Sequence, residues 1–290
     1  MVDLSRRRMI AAATAAMGFS SRLAWAGPGD QHIRQGVDAL LGGNQMSEAD
    51  ERRFGETNFP ELINRFGGLY PNRRAQAALV RFATPLLQTT RRPFNWQVVL
   101  LSSTEVLGAA LPGGKIALTR GLLTYLAEPW ELAAVIAHEM GHAELSHHRD
   151  EMRGKQAFGG VVSIGAGFAA AATGRQIVAD AIELLKGPIL DIAIMGYSQG
   201  NEEAADAHIL DVFARTGWPV ETASHVFHRL LRLYPTDARS SSLFASHPEM
   251  IERITKMEAK TAVMSATAAL PTSGTSAFTE LKTYLPTRLI

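Results

Sequence analysis

The sequence predicts an α+β fold that is mainly helical, with a small β-sheet or hairpin beside one central helix. Two helical segments and two short strands between them predict this class. Apolar residues recur at helical spacing over residues 74–87 and again from Pro129 onwards. Between these helices, residues 95–103 and Lys115–Thr119 are apolar runs of strand length. With 46% hydrophobic and 20% charged residues, the composition is that of a globular protein.

Charge and cysteine content exclude several classes of function. A net charge of +1 gives no indication of a nucleic-acid-binding surface. The chain has no cysteine, which excludes disulfides, thiolate metal ligands, a cysteine nucleophile and a lipid-modified cysteine anchor. Any bound metal ion must therefore be held by histidines and carboxylates.

The first 26 residues are interpreted as an export signal. Three consecutive arginines precede a short apolar run at residues 9–19, and residues 24–26 (Ala-Trp-Ala) form a small-x-small cleavage site. The mature chain is then expected to begin near Gly27 and to be periplasmic. Residues 5–10 also resemble a twin-arginine signal, so both the twin-arginine and the Sec export routes stay open. An uncleaved membrane anchor is the alternative.

Residues 27–258 are expected to form one domain, which contains a predicted hairpin. The strand at residues 95–103 and the strand at Lys115–Thr119 are separated by a Leu-Pro-Gly-Gly turn at residues 111–114. An edge strand of this kind can pair with the backbone of an extended peptide, although a purely structural hairpin fits the sequence equally well. Residues 259–290, rich in Ala, Ser and Thr at their start, are interpreted as a linker-like segment and a short tail.

The most specific feature is the sequence His-Glu-Met-Gly-His at residues 138–142, a complete H-E-x-x-H motif. On a helix, His138 and His142 share a face and can place two imidazoles on one metal ion. Glu139 lies beside them, where it can act as a general base on metal-bound water. The alternative is a helix with two incidental histidines. The motif predicts a zinc metallopeptidase with one Zn²⁺ per chain.

A catalytic zinc site needs a third protein ligand. The spacing after the motif is not that of the metzincins, and His147 and His148 are interpreted as supporting or surface groups rather than ligands. Glu202 and Asp206 are four residues apart on a predicted helix and share a face. One such carboxylate can bind zinc while the other accepts the N–H of a zinc-bound imidazole. Glu202 is assigned as the ligand, Asp206 as its supporting partner and Glu203 as a surface charge.

Together these motifs resemble the gluzincin family of CAAX prenyl proteases and HtpX, above all its soluble periplasmic, BepA-like branch. Residues 47–55, 111–123 and 246–254 also resemble segments of that family, so the resemblance extends over residues 45–257. It implies a zincin-like, mainly helical metallopeptidase domain with a small sheet. It also supports Glu202 over Glu203 as the third ligand.

The resemblance adds one residue to the site. His247, in a Ser-His-Pro sequence, matches a family histidine near the metal that either stabilises the tetrahedral intermediate or caps the zinc in a resting form. Arg253 matches an arginine interpreted as a brace for this segment. Two positions depart from the pattern, because Leu107 stands where the family has Asn and Ala109 replaces an aromatic residue. We expect no counterpart of the helical repeats that follow the catalytic domain in the BepA-like branch, so their role in partner recognition is not carried over.

The expected function is that of a zinc-dependent metalloendopeptidase. Its expected substrates are unfolded or misassembled envelope proteins, as part of protein quality control, with no nucleic-acid partner. Residues 157–173 are rich in Gly and Ala and are interpreted as a buried helix or flap, with peripheral membrane contact as the alternative. The competing function is a periplasmic chaperone or assembly factor whose zinc site is structural or latent. Leu107 favours the chaperone, whereas the intact Glu139 favours the enzyme.

Overall fold

The computed structural model describes residues 47–151, 193, 196–233, 250–264 and 270–287. The predicted export signal, the segment at residues 157–173 and His247 lie outside these ranges. The named helices are α1 Glu48–Arg65, α2 Arg73–Leu87, α3 Arg120–Tyr125, α4 Pro129–Glu144, α5 Gln199–Thr216, α6 His225–Leu233, α7 Met250–Thr261 and α8 Thr272–Thr283. The strands are β1 Gln97–Leu101, β2 Gly108–Leu111 and β3 Lys115–Thr119. The described residues therefore confirm the predicted mainly helical α+β class.

The first two helices begin at side-chain caps that the sequence indicates. Ser47 and Asp50 form a capping box at the start of α1, in which the Ser47 hydroxyl accepts from the backbone N–H of Asp50 at 3.2 Å. Asn72 caps α2 by accepting from the backbone N–H groups of Arg74 and Ala75 at 3.0 and 3.1 Å. These bonds satisfy N–H groups that have no partner within the helix.

The sheet has the strand order β1-β3-β2, which corrects the predicted hairpin. The turn at residues 112–114 joins β2 to β3, which pair antiparallel, whereas β1 lies parallel to β3 on the other side. Strand β2 was missed because its sequence, Gly-Ala-Ala-Leu, contains no β-branched or aromatic residue. Gly113 and Gly114 both have positive φ values, +73° and +79°, and a Cβ at Gly113 would lie 2.6 Å from Cα of Arg52.

Helix α4 lies at the centre of the fold and contacts β2, β3, α2, α5, α6 and α8. Helix α2 packs against β1 and against α8. One hydrophobic core runs through these contacts, and its fully buried members include Leu79, Leu100, Ile116, Leu132, Ile136, Met140, Ile209 and Phe213. The H-E-x-x-H helix is therefore fixed on several sides by apolar packing.

The segment interpreted as a linker and tail contains a packed helix. Helix α8 buries Phe278 and Leu281, and Gly274 allows the Trp218 ring to approach so closely that a Cβ would lie 2.7 Å from it. Lys282 donates from Nζ to the backbone carbonyls at the end of α3, including that of Leu126 at 2.6 Å. The sequence did not predict this helix, because the region is rich in Ala, Ser and Thr and only a few large apolar residues occur at helical spacing.

Among the described residues, no helix is long and apolar enough to cross a membrane.

Candidate metal centre

The H-E-x-x-H motif lies in the second half of α4, on a helix whose start is firmly held. Pro129 is the first helical residue, and Oε2 of Glu131 accepts from the backbone N–H groups of Ala127 and Glu128 at 2.8 and 3.1 Å. Oε1 of Glu131 also binds Nε of Arg229, from α6, at 2.5 Å. Because the start of α4 is capped and its apolar face is buried, residues 138–142 have a fixed position on the fold.

Gly141 lets helix α5 approach this part of α4 closely. A Cβ at Gly141 would lie 3.0 Å from Cα of Ala205 and 3.0 Å from Cβ of His208. His208 also bridges the two helices, since its Nδ1 lies 3.0 Å from the backbone oxygen of Ala137 and its Nε2 lies 3.1 Å from Oε2 of Glu144. The contact aligns the turn that contains Glu202 with the turn that contains the motif histidines.

Three buried side chains bring donor atoms to one point. Nε2 of His138 and Nε2 of His142 lie 3.0 Å apart, and each lies 3.4 Å from an oxygen of Glu202. Donors held tetrahedrally at about 2.0–2.1 Å from a zinc ion lie roughly 3.3 Å from one another. Two neutral imidazoles and one carboxylate also form a common catalytic zinc set. The geometry and chemistry of the three side chains therefore fit a zinc ion, and they form a possible metal site.

Asp206 and Arg253 surround the outer side of this cluster. Nδ1 of His138 lies 3.1 Å from Oδ1 of Asp206, and Arg253 binds both oxygens of Asp206 at 2.6 and 2.8 Å. Nη1 of Arg253 also lies 2.6 Å from Oε2 of Glu202. Burial would lower the pKa of His138, but the hydrogen bonds to Asp206 and Glu202 outweigh it and raise the pKa to about 9. Burial would raise the pKa of Asp206, but Arg253 and His138 hold it below its usual value.

His142 is contacted on two sides by groups outside the motif. Its Nδ1 lies 2.9 Å from Nδ1 of His147, and its ring stacks on Tyr197 with 3.9 Å between ring centroids and 13° between planes. Burial lowers the pKa of His147 to about 4, with a further contribution from the charge of His138. His147 is therefore neutral around pH 7 and can accept a hydrogen bond.

Glu139 lies on the side of α4 that faces the start of β2. A Cβ at Gly108 would lie 3.2 Å from its Oε1, so this glycine leaves room for the carboxylate. Glu139 and His138 share a pocket with Val226, Phe227 and Leu230 from α6. Leu107 is 2% exposed, and its backbone N–H donates to the Thr119 hydroxyl at 3.1 Å.

The structure brings together His138, Glu139, His142, Glu202 and Asp206, and it leaves Glu203 outside, paired with Lys256 at 2.5 Å. The predicted residue His247 lies outside the described ranges.

The structure adds detail for three residues at this site. His147, interpreted as a supporting or surface group, is buried. Tyr197 stacks on His142, and Arg253, interpreted as a brace, contacts Glu202 directly. The adjacency of His147 to the motif was its only signal, and no motif or spacing in the sequence indicated Tyr197.

Comparison with known proteins identifies a family and several relatives of this chain. A model of peptidase family M48 matches residues 71–261. The metalloproteases LoiP and YcaL of Escherichia coli (strain K12) are 29% and 28% identical to the chain over 165 residues. These matches span 56% of this chain and 60% and 59% of the relatives. A beta-barrel assembly-enhancing protease of Yersinia pestis is 24% identical over 162 residues, 55% of this chain and 33% of that protein. The chain thus matches less than two thirds of the length of these relatives.

Proposed function

Because this chain belongs to peptidase family M48, we propose that it is a zinc-dependent metalloendopeptidase. The cluster of His138, His142 and Glu202 beside Glu139 supports this proposal most strongly. The metalloproteases among the relatives support it as well. They also agree with the family resemblance expected from the motifs, since beta-barrel assembly-enhancing proteases are among the matches.

In the proposed reaction, His138, His142 and Glu202 hold the metal ion, and Glu139 moves the protons. A zinc ion bound there would supply positive charge that polarises the scissile carbonyl and lowers the pKa of a water molecule. Glu139 takes the proton of the attacking water and delivers it to the leaving amine. Asp206 keeps His138 in the tautomer that offers Nε2 to the metal ion, and Arg253 keeps Asp206 ionised. His247 is proposed either to stabilise the developing oxyanion or to cap the metal ion at rest.

The setting we propose is the bacterial envelope. The arginine-rich start and the Ala-Trp-Ala sequence at residues 24–26 support export to the periplasm. The similarity to beta-barrel assembly-enhancing proteases supports substrates among unfolded or misassembled envelope proteins. Peripheral contact with a membrane through residues 157–173 remains part of this proposal.

The test compares wild-type protein with Glu139→Gln on a denatured envelope protein, with zinc content measured in both. We expect the wild type to cleave and the variant to keep its zinc but lose cleavage, because a neutral amide cannot take the proton of water. Equal cleavage by the two proteins at equal zinc content would refute the role of Glu139.

A second pair of variants tests the metal ligand. Glu202→Ala should lower zinc affinity by more than the roughly 10–100-fold that is typical of damage to supporting residues. Glu203→Ala is the matched control, because its carboxylate is one residue away and pairs with Lys256 instead. Full zinc stoichiometry in Glu202→Ala would contradict the assignment.

The alternative function is a chaperone or assembly factor that binds unfolded proteins without cleaving them. Leu107 favours it, because an apolar side chain cannot hydrogen-bond a substrate as the asparagine expected at this position would. A wild-type protein that binds zinc, prevents aggregation of a denatured client and leaves it intact would establish this alternative.

A further inference from the structure

Building on the proposed zinc site, we propose that His147 is a positioning residue for His142. It accepts the Nδ1–H of His142 and thereby fixes the tautomer in which Nε2 of His142 is available to the metal ion. The two Nδ1 atoms lie 2.9 Å apart, and both rings are buried. His147 itself does not bind the metal ion or touch the substrate.

The positions of the ring nitrogens determine which atom carries the proton. Nε2 of His142 is the nitrogen that faces the other donors, 3.0 Å from Nε2 of His138 and 3.4 Å from Glu202. A nitrogen that binds a cation must offer its lone pair, so the proton of His142 belongs on Nδ1. That proton points to His147, whose Nδ1 must then be unprotonated and whose own proton must lie on Nε2.

The two proposed histidine ligands are therefore supported by different chemistry. His138 has a carboxylate at its second nitrogen, since Asp206 lies 3.1 Å from its Nδ1. His142 has a neutral imidazole in the same role. A carboxylate is the usual partner and makes the ligand more basic, whereas a neutral acceptor fixes the tautomer without adding charge.

An unusual backbone conformation places His147 over His142. Helix α4 ends at Glu144, and Ser146 has φ +57°, the only positive value at a non-glycine residue in the described part of the chain. The Ser146 hydroxyl donates to Oε1 of Glu51 at 2.8 Å and accepts from Arg92. These bonds hold the left-handed residue in place, and the chain turns so that the ring of His147 lies 5.0 Å from the ring of His142.

Tyr197 completes the confinement of His142. Its ring stacks on the imidazole with centroids 3.9 Å apart and is itself 6% exposed. A stacked ring restricts rotation of the imidazole about the bond to Cβ, while the bond to His147 selects one of its two orientations. With both contacts present, the ring is oriented before the metal ion binds, which reduces the entropic cost of binding.

The test uses three variants of the full chain and a chromophoric chelator that competes for zinc. His147→Leu removes the acceptor at similar size, and His147→Asn keeps an oxygen acceptor near the position of Nδ1. His148→Leu is the matched control, because His148 is 1% exposed and neither ring nitrogen has a hydrogen-bond partner among the described residues. Unfolding of chelator-treated protein measures how much each substitution damages the fold.

We expect His147→Leu to weaken zinc binding by about 10-fold or more and His147→Asn to stay within about threefold of the wild type. His148→Leu should bind zinc like the wild type. Cobalt-substituted His147→Leu should also show a changed visible absorption spectrum, because the ligand field responds to the orientation of His142. Wild-type zinc affinity in His147→Leu, or an equal loss in His148→Leu, would overturn the proposal.

Nitrogen-15 NMR of the zinc-loaded wild type shows which ring nitrogen of His147 carries the proton. This measurement does not require that any variant fold correctly. The ring of His147 should show a proton on Nε2 and none on Nδ1, and a proton on Nδ1 would overturn the proposal. A wild type that binds zinc but cleaves nothing would refute the proposed peptidase and leave the role of His147 standing. A wild type that binds no zinc would refute both.

Discussion

Nη1 of Arg253 lies 2.6 Å from Oε2 of Glu202, so a fixed positive charge contacts the same carboxylate that faces the two motif histidines. Arg253 is 1% exposed and also binds Asp206 through two nitrogens. The guanidinium therefore compensates two buried carboxylates whose negative charges would otherwise repel each other.

Replacing Arg253 by Met should destabilise chelator-treated protein by about 3–5 kcal/mol, because two buried carboxylates then share a single counter-charge, that of protonated His138. The loss should be smaller in saturating zinc, since the cation then supplies positive charge to Glu202. Urea unfolding of the wild type and the variant, with and without zinc, measures both losses of stability. Lys256→Met is the control from the same helix, because the ion pairs of Lys256 are exposed to solvent and its loss should change stability little. An equal loss with and without zinc would contradict the explanation.

Replacing Gly141 by Ala should weaken zinc binding while changing stability little. The new methyl would lie 3.0 Å from Cα of Ala205, so α5 must move away from α4 and carry Glu202 with it. The gain in helix propensity, about 1 kcal/mol, offsets part of the packing cost. Gly200→Ala is the control in α5, because nothing lies within 4 Å of its Cβ position. Unchanged zinc affinity in Gly141→Ala would show that this helix contact does not determine the position of Glu202.

Zinc binding should release a proton from His138. Because its pKa is raised from 6.5 to about 9, protonated His138 stabilises chelator-treated protein fully below pH 6.5, and this contribution is lost as the pH rises through about 9. Zinc must displace that proton, so its apparent affinity should rise about tenfold per pH unit between about pH 7 and 9. Calorimetry in buffers of different ionisation enthalpy measures the release. Asp206→Asn should give a shallower slope, and a pH-independent affinity would refute the prediction.

Helix α8 should contribute substantially to stability. Leu281 is fully buried, so Leu281→Ala should cost about 2–5 kcal/mol of unfolding free energy. Leu270→Ala makes the same chemical change at a side chain that is 38% exposed, and it should cost about 0.5 kcal/mol or less. Denaturant unfolding compares the two. Equal and small effects would mean that α8 is not part of the cooperative core.

The features that the sequence could predict depend on local spacing. Positions i and i+4 of a helix share a face wherever the helix lies, so the pairing of His138 with His142 and of Glu202 with Asp206 followed from the sequence. The start of α4 followed similarly from Pro129, where the helical spacing of apolar residues begins. These relations need no knowledge of the rest of the fold.

The features that sequence reasoning missed depend on contacts between distant segments. Ser146 holds its left-handed conformation through Glu51, 95 residues earlier in the chain, so no local pattern could place His147 over His142. Strand β2 is a strand because β3 and α4 pack against it, although its residues have little preference for that structure. Helix α8 was hidden by its composition, which is typical of a linker.

The hydrogen bond between Ser146 and Glu51 also limits which fragments of this protein can be studied in isolation. The match to the family model begins at residue 71, and Glu51 lies before it, on a helix that also buries Phe54 and Leu62 in the core. A recombinant fragment cut to the matched range would lack the carboxylate that anchors Ser146, and it would lose α8 at the other end. Such a fragment would have every proposed zinc ligand but not the scaffold that orients them, and its inactivity would say nothing about the peptidase.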